Sequence, residues 1–509
     1  MYILLLPLKY LTSKIMPLLA AVAVLLCTMT VLTVWSVMGG FLDMLIGSGR
    51  TMTGDVIVAW PNSGFAYYDD LVKRLEKDPQ VAAAAPMIES YGMLGLPTGR
   101  PETVQIRGVD GPSFSRVTGY ADILWWRKME KPLPKDKGEV DLRLKNLRAL
   151  SWDQVFQNGL SLSRVNPKTG VAEGAAVLGI AVSGLNRRLA SGVFEPQVAM
   201  RNRSDGSFDS SFDFMPVGGS VTLTLLPLDD SGKPSDTASL IIPVANEYHS
   251  GQFELDDKVS LVRLDVVQKM LKMDESPRVV DDETSPDGYR IDGTNPARVT
   301  HVLIRGKGDY SKLGASGELV ERVRGIYAEF AAAHERQVPD AEQILVLSWE
   351  DLNGTMISAV QKETSLVLFL FSMVSLVSVI LVLSIFWAMI SEKTKDIGIL
   401  RAIGASRAGV ASVWLCYGLA IGITGSLLGL AGAYGIVRNI NPIHEWLGEA
   451  MGIVIWDPRI YYFTNIPNRV DNLHAVIVGV GGVLSCFVGA IIPAARAAAM
   501  HPVRALRFE

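Results

Sequence analysis

Residues 366–390 read LVLFLFSMVSLVSVILVLSIFWAMI, and the stretch that follows, 391–406, reads SEKTKDIGILRAIGAS. The first carries no charge over a length that exceeds the ~20 apolar residues needed to cross a bilayer. The second turns abruptly to Lys, Asp and Arg, and by Val410 the chain is apolar again. A chain that leaves the membrane and returns so soon makes a short charged connection between two spanning helices.

Working outward, three more stretches are long and apolar enough to span: 15–41, 408–437 and 475–495. The first is charge-free until Asp43 and lacks a nearby small-residue cleavage site, so it reads as an uncleaved anchor. Lys9 and Lys14 precede it. Lys393, Lys395, Arg401 and Arg407 separate the second and third spans, and Arg496, Arg504 and Arg507 follow the fourth. With four spans, these three places fall on one side, and basic residues mark that side as cytoplasmic. Both termini are then inside, with 496–509 as a cytoplasmic tail. Residues 42–365 and the loop 438–474 are outside. The opening MYILLLPLKYLTSK, residues 1–14, suits a short helix lying in the interface, because Pro7 and Pro17 favour a break before the first span.

Composition agrees with a chain divided between lipid and water. Of 509 residues, 49% are hydrophobic, and the mean hydropathy is +0.26. A net charge of −4 excludes a global basic field for nucleic acid. Cys27, Cys416 and Cys486 all sit in apolar runs, so the polar middle has no disulfide framework. The six histidines show neither HExxH nor metal-ligand spacing with cysteine, so no metal site is expected.

The middle segment has the composition of a folded domain. GDVIVAW (54–60), ETVQIRGVD (102–110), GSVTLTLLPL (219–228) and KVSLVRLDVV (258–267) alternate or are rich in β-branched residues, and they predict strands. DDLVKRLEK (69–77) and residues 317–336 carry apolar residues at helical spacing. The expectation is an α+β extracytoplasmic domain of one lobe or two, inserted between the first and second of four transmembrane helices. RNRSDGSFDSSFD (201–213) and residues 274–296 read as solvated polar loops, without the spacing of a calcium-binding loop.

The spans themselves are rich in small residues. Gly418, Gly422, Gly425, Gly429 and Gly432 step by four, three, four and three, which places them on one helix face. Gly482 and Gly489 recur in the same way on the fourth span. Such faces let helices approach closely and predict a helix pair or a subunit contact. No Asp, Glu, Lys, Arg or His lies mid-span, which argues against ion-coupled transport. There is no GxxxxGK[ST] phosphate cradle and no GxSxG nucleophile elbow, so no catalytic residue is assigned.

Segment 391–407 reads as a short amphipathic helix, with Ile397, Leu400, Ile403 and Gly404 on one side and Lys393, Lys395, Asp396 and Arg401 on the other. EKTKDIGILRAIGAS resembles the signature of the FtsX-like permease superfamily of ABC transporters. LKYLTSK followed by SVMGGFLDML, the block PMIESYGMLGLPTGRPETVQIRGVD (86–110), and the closing IIPAARAAAMHPVRALRFE are similar to the LolC/LolE lipoprotein-releasing group within it. Residues 124–176 and 274–296 depart from that pattern.

The resemblance implies a coupling helix that docks on a nucleotide-binding subunit, through Glu392, Lys393, Lys395, Asp396, Ile397, Gly398, Leu400, Arg401, Ile403, Gly404 and Ala405. It implies a non-catalytic permease of the inner membrane that binds no cofactor itself, with ATP and Mg on a cytoplasmic ATPase dimer. A second identical or related permease chain would complete the complex. Lipoprotein cargo would pass to a periplasmic carrier, driven by a second helix acting as a rigid lever. A MacB-like efflux or mechanotransmission permease, an FtsX-like regulator of cell-wall hydrolases, and a membrane-anchored receptor are the alternatives.

Overall fold

Hydropathy and local pattern account for most of the elements in the computed structural model. It describes residues 15–501 except 97–100, 128–151, 167, 185, 189–193, 197, 203–207, 214–218, 228–235, 282–288, 311, 452–455, 457–462 and 464. The interfacial helix expected at 1–14 and most of the expected tail lie outside the described residues.

The chain divides into a helical unit and a strand-rich unit, the latter formed by Leu45–Thr355 with Asp457–Thr464. Four helices are long and apolar enough to cross a membrane. They are α1 (Ile15–Gly49), α6 (Gly354–Glu392), α8 (Arg407–Arg438) and α10 (Asn472–Ala499). The protein is therefore a membrane protein with one spanning helix, a large α+β domain, and three more spanning helices. The helices outrun the apolar stretches that announce them. α1 continues through Asp43, and α6 begins well before Leu366, because Gln361, Lys362 and Glu363 are good helix formers that need no burial. Hydroxyls inside the spans bond back to their own helix, as when Thr28 Oγ1 donates to Val24 O at 2.9 Å. Within the loop expected at 438–474 stands a further helix, α9 (Ile440–Met451). The side chain of Asn441 ties it down, donating to Ile466 O and accepting from Ile466 N, each at 2.9 Å.

In the strand-rich unit nine strands form one sheet. They are β1 (Val56–Ala59), β2 (Val81–Gly95), β3 (Pro101–Val109), β4 (Ala176–Gly179), β5 (Ser220–Leu225), β6 (Ala238–Tyr248), β7 (Val259–Arg263), β8 (His301–Gly306) and β9 (Leu345–Ser348). Their order is β5-β6-β4-β7-β3-β2-β8-β1-β9, and β5 also pairs with β2. That extra pairing closes six strands into a barrel. Only β6/β4 and β7/β3 are parallel.

The register explains the two apolar clusters. Gly92 faces Val104 and Leu225, and Leu94 faces Leu223, so even-numbered positions of β2 point inward with Ile106, Val221 and Val262. The opposite face carries Met87, Val109, Val177 and Leu261, covered by α3 (Gly111–Thr118) and α4 (Trp152–Ser161). α2 (Tyr68–Lys77) and α5 (Gly317–Ala333) pack on the cluster that includes the barrel interior. α5 buries Leu319, Val320, Val323, Tyr327 and Phe330, each worth about 1.5–3 kcal/mol if fully removed from water.

Three local expectations need correction. The strand at 258–267 ends at Arg263, and Leu264–Met270 is helical, because this segment has four consecutive positions, Leu264–Val267, that fit either period. The polar stretches at 201–213 and 274–296 are hairpins in part, pairing Val198–Asn202 with Phe208–Asp213 and Ser276–Asp281 with Tyr289–Asn295. Polar, Gly- and Asp-rich segments of this kind offer no alternation of apolar and polar residues from which a strand can be read.

Candidate functional site

The connection between α6 and α8 folds into α7 (Thr394–Ala402). A single non-helical residue, Lys393, separates it from α6. The join is fastened by Thr394, whose Oγ1 donates to Ile390 O at 3.1 Å and to Ser391 O at 2.9 Å. Across the break, Lys393 Nζ pairs with Asp396 Oδ2 at 2.9 Å. At the far end Gly404 adopts φ +105, a conformation that glycine enters without penalty. This places Ser406 to cap α8, where its side chain accepts from Gly409 N. The Arg401 guanidinium donates to Ala405 O at 3.2 Å and closes the turn.

The apolar residues of α7 do not share one side. Ile397 is buried among Phe386, Met389, Val410, Trp414 and Ala494, at one end of the helical unit. Gly398 is buried beside it. Leu400 and Arg401 are half-buried, whereas Ile403 is 80% exposed. The expected grouping of Ile397, Leu400, Ile403 and Gly404 is not one buried face: Ile403 keeps helical geometry, its N–H donating to Ile399 O at 3.0 Å, and at 3.6 residues per turn it stands about 120° round the helix from Ile397. The exposed residues of this segment include Glu392, Lys395, Ile399, Ala402, Ile403 and Gly404. Ile399, 48% exposed, is the residue that sequence reasoning missed. Its only signal is a position four after Lys395 and four before Ile403.

Behind α7 the glycine row of α8 is divided between two neighbours. A methyl group on Gly418 would meet Ala490 of α10 at 2.8 Å, and one on Gly422 would meet Cys486 at 3.0 Å. Farther along, Gly425 abuts Ala21 O and Val24 of α1 at 2.8 and 2.9 Å, Gly429 abuts Thr28 and Leu25 O, and Gly432 abuts Met29. Gly482 of α10 meets Ser426 and Thr28, and Gly489 meets Val382 of α6 at 3.1 Å. α8 is thus the central helix, with half of its most apolar stretch buried, while α6 exposes nearly all of its own. α10 returns to α6 where Arg496 stacks on Trp387, 3.8 Å from the ring centroid.

In the strand-rich unit, sequence reading passed over the residues that fasten the ends of the chain. Asp55 lies within the predicted strand GDVIVAW (54–60). It is fully buried and binds Arg50, and its backbone oxygen accepts from Trp349 N at 3.1 Å. Ser348 and Asp351 form a capping box one turn before α6.

Comparison with known proteins sets this arrangement in a family. Residues 368–502, covering α6 from its middle, α7, α8 and α10, match the FtsX-like permease C-terminal family. A lipoprotein-releasing system transmembrane protein LolC from Xylella fastidiosa is 24% identical over 266 residues, 52% of this chain and 55% of that protein. The LolC of Neisseria meningitidis is 25% identical over 174 residues, 34% of this chain and 42% of that one. The macrolide export ATP-binding/permease protein MacB of Bdellovibrio bacteriovorus is 25% identical over 227 residues, 43% of this chain and 30% of that one. The matched stretches thus span about half or less of these relatives. Residues 368–502, which hold α7, α8, α10 and the second half of α6, are thus similar to FtsX-like permeases, and the chain as a whole is similar over about half its length or less to permeases of the LolC and MacB type.

Proposed function

We propose that this chain is the non-catalytic permease subunit of an ABC transporter that releases lipoproteins from the inner membrane. The observation that carries the reading is the split character of α7: Ile397 anchors it in the helical unit while Lys395, Ile399 and Ile403 face outward. An exposed pair of isoleucines beside charged side chains is the composition of a small protein-docking surface. A cytoplasmic ATPase dimer, holding ATP and Mg, would dock there. Movement of the ATPase would pass through Thr394 and Lys393 into α6, which is unbroken from Gly354 to Glu392 and suited to act as a lever. Basic residues flanking α7 support a cytoplasmic location for it, with both termini on the same side. The similarity to LolC proteins supports lipoprotein as cargo, a second permease chain in the complex, and a carrier on the far side.

The test is co-purification of the tagged full chain from native membranes. The ATPase and lipoproteins should accompany the wild type. Ile403→Asp and Ile399→Asp should lose the ATPase while the chain still inserts and resists proteolysis as before. Retention of the ATPase by both variants would sink the docking reading. An ATPase that comes with efflux or cell-wall partners instead of lipoproteins would overturn the cargo and keep the coupling.

A further inference from the structure

The outer face of the barrel wall carries a cleft of about 530 Å³ that lies within the strand-rich unit. Its floor is polar. Glu89 and Arg107 are register partners on β2 and β3, and His301 of β8 stands beside them, opposite Met87. The Arg107 side chain is only 9% exposed. Its Nη1 donates to Met52 O at 3.1 Å, but its Nε makes no hydrogen bond, with Glu89 Oε2 3.5 Å away. Burial holds the His301 imidazole below its ordinary pKa. The rim is mixed and open to water: Tyr91 is 69% exposed, Leu352 46% and Leu345 44%, while exposed Glu254 and Lys258 line another part of it.

A guanidinium withdrawn from water with an N–H unbonded is costly, and the cost is relieved when an acceptor arrives. Glu89 offsets the charge without satisfying that donor. Three large apolar side chains gathered in water around such a floor are equally unlike ordinary surface. A bare anion would leave the rim wet, and a neutral hydrocarbon would leave Arg107 unsatisfied. Gly49, the last residue of α1, and Asn353, just before α6, also line the cleft. We propose that this cleft binds an amphiphile whose carboxylate or phosphate head is received by Arg107 and whose hydrocarbon tail lies on Tyr91, Leu345 and Leu352. The proposal does not depend on the coupling role of α7.

The experiment uses the full chain in phosphatidylcholine nanodiscs and a diazirine-bearing palmitate as photolabel, with labelled peptides mapped by mass spectrometry. Peptides carrying Tyr91 and Leu345–Leu352 should label saturably. Oleate should compete, whereas oleyl alcohol and inorganic phosphate should not. Arg107→Met should lower the labelling about tenfold or more, the loss expected of a hydrogen bond to a charged group. Arg107 also supports Met52, so Tyr91→Glu, at an exposed position, provides a second variant that keeps the fold and should block the tail. Labelling that is absent or unsaturable overturns the proposal. Oleyl alcohol competing as well as oleate would show that no head group is read, and phosphate competing as well would reduce the cleft to a plain anion site. Either result overturns it too.

Discussion

Arg50 and Asp55 form a buried ion pair in which Nε and Nη2 of Arg50 both lie 2.6 Å from Asp55 Oδ1. The second carboxylate oxygen accepts from Gly306 N at 2.9 Å, and the backbone of Asp55 holds both Ile304 O and Trp349 N. One residue therefore ties the segment after α1 to β8 and to the turn that leads into α6. Asp55→Ala leaves Arg50 uncompensated in the interior, and the expected loss is about 3–5 kcal/mol. Thermal unfolding of the full chain, followed by tryptophan fluorescence, should show the strand-rich unit melting earlier while the helical unit keeps its circular dichroism.

Barrel closure depends on a close approach at Gly92. A methyl group there would lie 2.6 Å from Leu225 Cδ2 and 2.7 Å from Thr224 O. Gly92→Val should destabilise the unit by about 1–3 kcal/mol through overpacking. By contrast, Gly325, inside α5, has nothing within 4 Å of the added carbon, so Gly325→Ala should stabilise by about 0.5–1 kcal/mol. Measuring both in one urea titration gives opposite signs if the register is right.

Glu247 supplies a pH dependence with a definite sign. It is fully buried, with Oε2 accepting from Trp126 Nε1 and Oε1 from Asn186 Nδ2, each at 2.9 Å. Burial raises its pKa to about 8, against the pull of those two bonds. The folded state therefore keeps a proton that the unfolded state releases at the ordinary carboxylate value. Stability falls as pH rises from near 4.5 toward 8 and levels off above, with a limiting slope of about 1.4 kcal/mol per pH unit from this group. Thermal melts of Glu247→Gln should lack that part of the slope. Identical pH profiles for the two chains would show that Glu247 is charged in the folded state.

Among the spanning helices, Gly429 presses on Thr28 and Leu25 O of α1. Gly429→Leu should separate α1 from α8 without preventing insertion, because the added side chain is apolar. Separation of α1 from α8 would be read as loss of a Met29→Cys/Gly432→Cys crosslink pair. Ile397→Asp should fail differently, lowering the yield of folded protein by placing a charge among Phe386, Val410 and Trp414.

Much of this was legible before any coordinates. Four apolar runs carry their own evidence of spanning, because a bilayer demands about 20 such residues whatever surrounds them. The strands at 54–60, 102–110 and 219–228 were visible through branched residues at alternating positions. β2 was not, since VAAAAPMIES has small side chains and a proline that a strand tolerates only in context. The glycine row was legible as a packing face, but not that Gly418 and Gly422 serve α10 while Gly425, Gly429 and Gly432 serve α1. Spacing along one helix says nothing about which helix comes near.

The sequence by itself determined the number of spans, the position of the large α+β domain between the first and second, and the presence of a short charged element at 391–407. Those follow from local hydropathy and charge, which each segment carries independently. Only the tertiary structure decided that β5 returns to β2 and closes a barrel, that Asp55 is an internal tie, that Arg107 lies at the floor of a cleft, and that α7 buries Ile397 while presenting Ile399 and Ile403. Each of these depends on which other elements come to pack against the residue, and no local pattern encodes that.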